Sequence, residues 1–551
     1  MTAGGWLNVL TRPEPAVREH LRACYGADEA VIAARCDLLR RVLARFVSRF
    51  GDRPVRVFRA PARINLRGMH VDTHGGYLNL MTHQRETVVV AAQAVAGVCT
   101  FVNAEDAFPE VTFDLAALMA DPAFGGDWPD FLERCKAPVP GWGAYLAGAV
   151  LRAHHGLETL PTGIDAAIGS DIPRGAALSS SHALTLAMLD AALVFAGRRL
   201  APSARILATR DAEWYTGART GTSDQGAMIL GGRDTLVNAV LHPDHLELDT
   251  VRRVAFPEAL RVLVVNSHTT RNLSGAEAVA YNRNRFAYSL GLAILRQELQ
   301  GAGYPPAAVE HLDRFSRVTP EALGGVRVFY ETLRRVPCNI AFDELRARYD
   351  LPGLGALYAR YFSQVDTSQR PDSFNLRGPL LFGVTESLRA QRFAAHIESG
   401  HYARAGRLMV IGHAGDRVYG GEWLDIPNDV SDAALDRLAH AEQPVETCPG
   451  QYGASAPALD ALVDASLRAG ALGACLTGAG IAGSVLALCR AEDAGNVAQG
   501  VRACLASAPY ARLAKREQPL SAAGVERAVV ENCATTAAGE LTLGGAHNGG
   551  E

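Results

Sequence analysis

The segment IGSDIPRGAALSSSHALTLAMLDAAL, residues 168–193, contains the pattern that decides how this sequence is interpreted. An apolar run leads into Pro173 and Gly175, three serines follow at 179–181, and an Ala- and Leu-rich helix is predicted from Ser179 to Phe195. Small residues let a backbone approach an anion, and a helix start offers unpaired N–H groups and a positive dipole end. The segment predicts a phosphate-binding loop, although it lacks the ending of a Walker A loop.

An ordinary capped helix explains the same segment, since Ser179 or Ser180 can serve as an N-cap, and taken alone the segment favours that interpretation. Two further segments change the balance. Residues 60–80, APARINLRGMHVDTHGGYLNL, concentrate polar and charged side chains before a pair of glycines, which suits a polyhydroxyl ligand. Residues 476–489, LTGAGIAGSVLALC, form a glycine turn that leads into an apolar strand and allows close backbone packing.

The composition is that of a globular protein with more than one domain. At 551 residues the chain is too long for one compact core, and 48% of it is hydrophobic and 20% charged. A net charge of −4 gives no reason to expect a nucleic-acid or membrane partner. The ten cysteines form no C-x-x-C pair, so we expect reduced thiols rather than a zinc site.

Hydrophobic periodicity predicts a mixture of helices and strands. Helices are predicted over 14–50, 142–154, 179–195 and 456–469, with a mostly helical region over 276–413; strands are predicted over 55–58, 87–92, 163–168 and 262–266. The pattern indicates an α+β fold with two lobes that meet near residues 255–270.

Seven short motifs in order resemble the GHMP kinase superfamily, and its galactokinase branch most closely. Residues 60–72, 173–183 and 477–483 are similar to the branch's A-P-G-R-x-N-L-I-G-E-H-x-D, P-x-G-x-G-L-S-S-S-A and T-G-x-G-x-G-G. WGAYLAG at 142–148, TGTSDQ at 220–225, YNRNR at 281–285 and GRLMVIGHA at 406–414 resemble four secondary motifs. The motifs lie between residues 60 and 483, and the resemblance extends from about residue 50 to about residue 535.

This resemblance implies a two-lobed GHMP kinase fold, with an N-terminal ribosomal-protein-S5-domain-2-like lobe and a C-terminal ferredoxin-like lobe carrying a helical insertion. We expect an N-terminal helical extension over 1–50, an ATP-binding domain over 51–260 and a C-terminal domain over 261–536. The insertion is placed at about 297–380. Residues 537–551 are Gly-rich and are expected to form a disordered tail.

The implied activity is an ATP-dependent sugar kinase that phosphorylates the anomeric hydroxyl of a monosaccharide or uronic acid. Asp224 is the candidate base for the hydroxyl proton, and Arg63 beside it supports the developing charge and keeps the acid ionised. Alone, each has a simpler explanation, Asp224 as a turn or N-cap residue and Arg63 as a surface ion pair.

The resemblance also implies binding residues for the sugar, ATP and Mg²⁺. The sugar pocket is expected to contain His70, Asp72, Gly221, Tyr281, Met69 and Arg67. ATP is expected to contact Gly175, Ala176, Leu178, Ser179, Ser180, Ser181 and Trp142. Ser181 and Glu213 are the candidate Mg²⁺ ligands. For His70 a hydrogen-bonded core histidine, and for Tyr281 simple core packing, remain alternatives.

Several positions depart from the family pattern. Met69 replaces the glutamate that galactokinases direct to the C6 hydroxyl, and Arg67 stands where an aliphatic residue is usual. Because methionine cannot accept a useful hydrogen bond, a pentose, a deoxy sugar or a uronic acid with a C6 carboxylate is expected to fit better, with galactose itself less favoured. The sequence GMHVDTHGG is reminiscent of galacturonate-phosphorylating relatives. Ala177, Ala482 and His182 add bulk near the nucleotide loops.

Those departures keep open a catalytically weak or inactive sensor that binds sugar and ATP, which retention of Arg63 and Asp224 argues against. A kinase for a mevalonate-type alcohol is disfavoured by the secondary motifs. The expected partners are a small-molecule sugar and ATP, without nucleic acid or membrane, in a monomer or homodimer. Residues 1–10 lack a signal-peptide pattern, so a cytoplasmic location is expected.

Overall fold

The computed structural model describes residues 1–94, 97–135, 140–157, 162–218, 220–242, 245–246, 248–269, 276–363 and 365–542. In the first half of the chain the helices are α1 Ala3–Thr11, α2 Pro15–Tyr25, α3 Glu29–Phe50, α4 Leu115–Met119, α5 Trp128–Arg134, α6 Trp142–His154, α7 Ser180–Phe195, α8 Pro202–Trp214 and α9 Ser223–Leu230. The strands there are β1 Arg56–Arg67, β2 Tyr77–Gln93, β3 Val98–Asn103, β4 Val111–Asp114, β5 Ile164–Ser170, β6 Thr235–His242, β7 His245–Leu246 and β8 Arg252–Ala255.

The second half begins with a strand and is mainly helical. Its strands are β9 Leu260–Asn266, β10 Asn339–Ala341, β11 Ser373–Asn375, β12 Gly473–Thr477, β13 Ser484–Arg490, β14 Val529–Glu531 and β15 Gly539–Leu541. Its helices are α10 Ala276–Gly301, α11 Pro306–His311, α12 Pro320–Leu323, α13 Val326–Arg334, α14 Phe342–Arg348, α15 Leu354–Phe362, α16 Arg377–Glu398, α17 Tyr402–Asp416, α18 Asp432–His440, α19 Pro457–Arg468, α20 Ala494–Leu505, α21 Ala508–Leu513 and α22 Ala522–Ala528.

The first lobe is built on a large sheet in which β1 and β2 are the long central pair. Strand order is β15-β1-β2-β5-β3-β4, and β6 pairs with β2, β7 and β8. Successive residues of a strand face opposite sides. Val57, Val88 and Val90 therefore pack under the N-terminal helices, while Phe58 and Val89 belong to the core on the other face, where α7 lies. The N-terminal helices are thus a layer of this lobe.

The second lobe is a four-stranded antiparallel sheet in the order β12-β13-β9-β14. Helix α19 precedes β12, and helices α20–α22 lie between β13 and β14, which gives the βαββαβ arrangement of a ferredoxin-like lobe. The expected two-lobed α+β fold with a ferredoxin-like C-terminal lobe is confirmed.

Between β9 and β12 lies the helical region predicted from the sequence. Its helices α10–α15 pack around an aromatic cluster that is continuous with the core of the first lobe, and in this cluster the Phe286 ring lies 4.7 Å from Phe374 and 5.5 Å from Phe362. The long helix α16 packs on β2 of the first lobe, and α17 packs on β12 of the second. This pair of helices therefore connects the lobes. None of the helices in the described ranges has the length and apolar character needed to cross a membrane.

Two sequence-based boundaries are corrected. The helix predicted over 14–50 is broken at Gly26, whose φ of 89° ends α2, and Asp28 restarts the chain as the N-cap of α3 by accepting from Ala30 N and Val31 N. The tail predicted to be disordered from residue 537 contains β15, which pairs with Val57–Arg59 of β1. Its remaining part, residues 543–551, lies outside the described residues.

Strand β15 gives a testable prediction about the C-terminal segment. Leu541 is only 3% exposed and packs beneath the N-terminal helices. We expect Leu541→Asp to destabilise the protein by about 3 kcal/mol or more, because a buried apolar contact is lost and an unpaired charge is buried. Chemical denaturation measures the change. Thr542→Asp, at the exposed neighbour, is the matched control, and equal stability of the two variants would contradict the buried position of Leu541.

Candidate active site

Arg63 and Asp224, the predicted catalytic pair, are in direct contact. Arg63 lies on β1 just after a register shift against β2. Its Nε donates to Asp224 Oδ1 at 2.5 Å, and its Nη1 donates to the carbonyl oxygen of Ala177 at 2.7 Å. Ala177 belongs to residues 173–181, called here the serine loop. One guanidinium therefore joins the acid to the loop that was predicted to bind phosphate.

Asp224 is ionised by its surroundings. It sits in the first turn of α9, where the helix dipole favours negative charge. Burial alone would raise the pKa of Asp224, but the charges of Arg63 and His182 outweigh burial and hold that pKa well below its ordinary value. The side chain keeps 17% of its exposure. A carboxylate that is charged and still reachable can accept a hydrogen bond from a ligand hydroxyl.

His182 lies between two carboxylates. Its Nδ1 is 3.1 Å from Asp224 Oδ2, and its Nε2 forms a short ion pair with Glu213 Oε2. Burial by itself lowers the pKa of His182, yet the two acids outweigh burial and raise it above its ordinary value. Glu213 also accepts from the Thr220 hydroxyl at 3.1 Å and is only 2% exposed.

The serine loop adopts a strained conformation that a simple N-cap does not require. Ser179 has a left-handed backbone with φ 64°, and its side chain caps no N–H group of α7. Ala177 is also left-handed, with φ 57°. Such backbone costs about 1–2 kcal/mol for a residue with a β-carbon. Strain of this kind is typical of ligand-binding loops, and the capped-helix alternative loses its support.

The Ala177 methyl group faces the glycine turn at 477–483. A β-carbon built on Gly483 would lie 2.5 Å from the Ala177 β-carbon, and one built on Gly478 would lie 2.9 Å from it. The Ser484 hydroxyl donates to the Ala176 carbonyl at 2.6 Å. The extra methyl relative to the family glycine is therefore accommodated by glycines of the second lobe.

Other predicted nucleotide residues lie around the same loop. Ala176 and Leu178 are buried, so only their backbone is available to a ligand, whereas the β-carbon position of Gly175 faces open space. Trp142 begins α6, and its ring lies 5.6 Å from that of Phe108. The guanidinium of Arg174, which belongs to the serine loop, lies 5.0 Å from the Phe108 ring.

Asp72 and Gly221 come together beside Asp224. The Ser223 hydroxyl donates to Asp72 Oδ2 at 2.8 Å, and a β-carbon built on Gly221 would lie 2.2 Å from the same oxygen. The absence of a side chain at Gly221 is therefore what allows the Asp72 carboxylate to reach α9. Asp72 therefore contacts Ser223, the residue directly before the predicted base Asp224.

His70 lies deeper than Asp72. Its φ is 63°, its ring stacks on Tyr452 at 4.5 Å between centroids, and its Nε2 is 3.3 Å from Asp416 Oδ1. The ring is 3% exposed, which matches the core-histidine alternative more closely than direct ligand contact. Tyr281, on α10, lies under the Arg285 guanidinium at 5.5 Å, and both are near this cluster.

Arg67 and Met69 require a correction. The Arg67 guanidinium is fully buried, pairs with Glu386 and donates to the Met409 carbonyl at 3.1 Å. Met69 is 1% exposed and belongs to the apolar core of the second lobe, while its backbone N–H bonds Glu386 at 3.0 Å. Neither side chain is open to solvent, because the ion pair with Glu386 holds Arg67 and the apolar core holds Met69 in the interior.

The chain matches three protein-family models and several known proteins. The family model for the galactokinase galactose-binding signature matches residues 44–93, and those for the GHMP kinases N terminal domain and C terminal match 144–232 and 432–507. A galactokinase of Roseiflexus sp. (strain RS-1) is 28% identical over 81% of this chain and 86% of its own. A galactokinase of Streptomyces coelicolor is 28% identical over 84% of this chain and 92% of its own.

The chain belongs to the GHMP kinase superfamily, in its galactokinase-like branch. The predicted resemblance is thereby confirmed. A crystal structure of Lactococcus lactis galactokinase complexed with galactose shares the fold with a TM-score of 0.59, at 18% identity, covering 90% of this chain and 98% of that chain.

For a GHMP kinase, Mg²⁺ is the expected companion of ATP, and Glu213 is its predicted carboxylate ligand. The Oε2 atom of Glu213 contacts His182 Nε2 and accepts from the Thr220 hydroxyl, and the side chain is almost fully buried. Within the described residues no group of three His, Cys, Asp or Glu side chains is arranged to hold a metal ion. Ser181, at the start of α7, remains a candidate from the sequence alone.

Some residues around this candidate site were not predicted from the sequence. Tyr452 and Asp416 flank His70 but lie in segments without a diagnostic motif. Glu386 holds the loop after β1 through the N–H groups of Gly68 and Met69, at 2.7 and 3.0 Å. For His182 the sequence predicted only a larger side chain near the nucleotide loops. Its position directly after three serines was the available signal that it faces the site.

The contact between Gly221 and Asp72 gives a prediction. We expect Gly221→Ala to raise KM for the sugar roughly tenfold to a hundredfold, because the new methyl group displaces the Asp72 carboxylate, while KM for ATP changes little. Steady-state kinetics with each substrate varied in turn measures both. Gly232→Ala, where the nearest atom is 3.5 Å from the β-carbon position, is the control. An increase confined to KM for ATP would contradict the expectation that Asp72 contacts the sugar.

Proposed function

We propose that this protein transfers the γ-phosphate of ATP to the anomeric hydroxyl of a galactose-like sugar, with Asp224 as the proton acceptor. The observation that carries the proposal is the Arg63–Asp224 pair. It joins an ionised and partly exposed carboxylate to the serine loop through one guanidinium. This is the arrangement that phosphoryl transfer to a hydroxyl needs.

In the proposed reaction the sugar hydroxyl donates a hydrogen bond to Asp224. The hydroxyl oxygen forms a bond to the γ-phosphorus, the bond from that phosphorus to the ADP oxygen breaks, and the hydroxyl proton passes to Asp224. Because Arg63 and His182 keep the pKa of Asp224 low, early proton transfer is unfavourable. Asp224 therefore orients the nucleophile first and takes the proton late, which suits a loose transition state.

The serine loop and the start of α7 are proposed to bind the phosphates of ATP. Helix N-termini attract anions through unpaired N–H groups and the dipole. The left-handed backbone at Ala177 and Ser179 fixes the shape of this loop before any ligand arrives. Preorganised dipoles of this kind stabilise transferring phosphoryl groups. Phe108, Trp142 and Arg174, beside Gly175, are the proposed contacts for the nucleotide base.

The sugar is proposed to sit between Asp72 and Tyr281. Met69 was the reason to expect a sugar altered at C6, and the burial of its side chain removes that reason. The match to a galactose-binding signature over 44–93 supports a galactose-like sugar. A uronic acid stays in the proposal through a different residue, Arg285, whose guanidinium lies against Tyr281 and can pair with a carboxylate.

A substrate panel tests the proposal. We expect ADP release with galactose, and compare arabinose, galacturonate, glucuronate and deoxy sugars at equal concentration. Arg285→Gln separates the two sugar classes, since it should weaken turnover of galacturonate more than that of galactose. Turnover with none of the sugars, alongside measurable binding of ATP or sugar, would favour the sensor and overturn the enzyme proposal.

The role of Asp224 has its own test. We expect Asp224→Asn to lower kcat by about a hundredfold to ten-thousandfold, the range of a general base, while ATP binding measured by calorimetry survives. Asp211→Asn is the matched control, because Asp211 is also paired with arginine and is 13% exposed. Unchanged turnover in Asp224→Asn would remove this residue from the mechanism.

A further inference from the structure

A recess at the seam between the two lobes has no part in the proposed reaction, and we call it the seam recess. It has about 210 Å³ of empty space, including the part that is open to solvent. Residues of the first lobe, the serine loop and the second lobe line it, among them His83, Arg85, Pro173, Leu178, Asn266 and Arg527. The serines at 179–181, which are the proposed contacts of the ATP phosphates, do not line it.

His83 offers a hydrogen-bond donor to the seam recess. The residue is 1% exposed, and its Nδ1 accepts from the backbone N–H of Arg85 at 3.1 Å. Burial and the nearby charge of Arg85 lower the pKa of His83 to about 3, so the ring is neutral. A neutral imidazole that accepts at Nδ1 carries its hydrogen at Nε2. Within the described residues nothing accepts from Nε2, so this hydrogen is left for a ligand.

Asn266 supplies a second neutral donor. It ends β9 in the second lobe, and its Oδ1 accepts from the backbone N–H of His268 at 2.9 Å. The amide NH₂ group is therefore the free end of the side chain, and no group in the described ranges accepts from it. Donors without a partner favour a ligand that can only accept.

Two arginines of the seam recess have no counter-ion among the described residues. Arg527, on α22, is exposed, while Arg85 is half-buried and its pKa is lowered by burial. The acid that acts on Arg85 is Asp171, but Arg35 already donates to that carboxylate at 2.9 Å. None of the residues that line the recess is an acid. The recess therefore combines positive charge with free donors, which is the chemistry of an anion site.

We propose that the seam recess binds a small inorganic oxyanion of the size of phosphate or sulfate. The enclosed part has room for about one water-sized group, which suits one oxygen of the ion beside His83 and Asn266. The rest of the ion lies at the open mouth, between Arg85 and Arg527. Guanidinium groups present paired N–H donors that match the geometry of an oxyanion.

This ion acts on the seam and is not the phosphate that is transferred. Arg85 belongs to the first lobe, Arg527 to the second, and Leu178 of the serine loop lies between them at the same recess. An ion that binds both arginines therefore stabilises the docked arrangement of the lobes beside the loop, since a ligand stabilises the state that it binds. The inference is independent of which sugar the protein phosphorylates.

Titration calorimetry with inorganic phosphate in a chloride-free buffer tests the inference. Each titration is run with and without an excess of a non-hydrolysable ATP analogue, which fills the proposed nucleotide site. The variants are Arg85→Gln and Arg527→Gln. The matched control is Arg512→Gln, because Arg512 is also exposed and without a counter-ion among the described residues but does not line the recess.

We expect wild type to bind one phosphate with the analogue present. Arg85→Gln and Arg527→Gln should bind it at least about tenfold more weakly, because each loses a charged hydrogen-bond donor, while Arg512→Gln should match wild type. If the analogue does not bind, the proposed function fails, but the loss of one bound phosphate in the two variants still tests the recess.

Three results would overturn the inference. One is phosphate binding that disappears when the analogue is present, which would assign the ion to the serine loop. Another is equal affinity of wild type and Arg527→Gln, a variant that changes only an exposed side chain and leaves the core intact. The third is a site that chloride fills and that neither phosphate nor sulfate occupies, since an oxyanion would then be the wrong class of ligand.

Discussion

The structure depends on three arginines spaced four residues apart along β1, each neutralised by an acid from a different part of the chain. The pairs are Arg59 with Glu86, Arg63 with Asp224, and Arg67 with Glu386. Each guanidinium also binds backbone carbonyls elsewhere: in the C-terminal segment, in the serine loop, and in α17 of the helical region. One strand thus sets the positions of the sheet, the loop and the helices that connect the lobes.

The three pairs differ in their access to solvent. That difference distinguishes the pairs that only stabilise the fold from the pair that can contact a ligand. The Glu86 and Glu386 side chains have 0% exposure, whereas Asp224 keeps 17%. Burial opposes the charge of Glu386, but Arg67 and Arg389 outweigh it and lower its pKa to about 2. Removing one partner of a sealed pair costs about 3–5 kcal/mol. The Arg59–Glu86 and Arg67–Glu386 pairs therefore stabilise the fold, and of the three carboxylates only that of Asp224 is accessible to a substrate.

The sequence predicted the parts that follow from local patterns. Period and turn signals placed α6, α7 and β9 closely, and motif order placed Arg63, Asp224 and the serine loop in one site. The sequence-based predictions were wrong where the position of a residue depends on a partner far away along the chain. Nothing near Arg67 indicates that Glu386, more than three hundred residues away, draws it into the interior. Likewise β15 has no strand signal of its own and exists because β1 offers an open edge.

The strained serine loop shows why the two lobes act as one unit. Ala177 and Ser179 have left-handed backbones, and such strain persists only when the surroundings over-determine it. Here the restraints come from both lobes: Arg63 holds the Ala177 carbonyl from the first, and Ser484 holds the Ala176 carbonyl from the second. The Thr477 hydroxyl bonds both the N–H and the carbonyl of Asn65, each at 3.2 Å. Because the Ser484 and Thr477 bonds cross the seam between the lobes, separating the lobes would remove the restraint that the second lobe places on the loop.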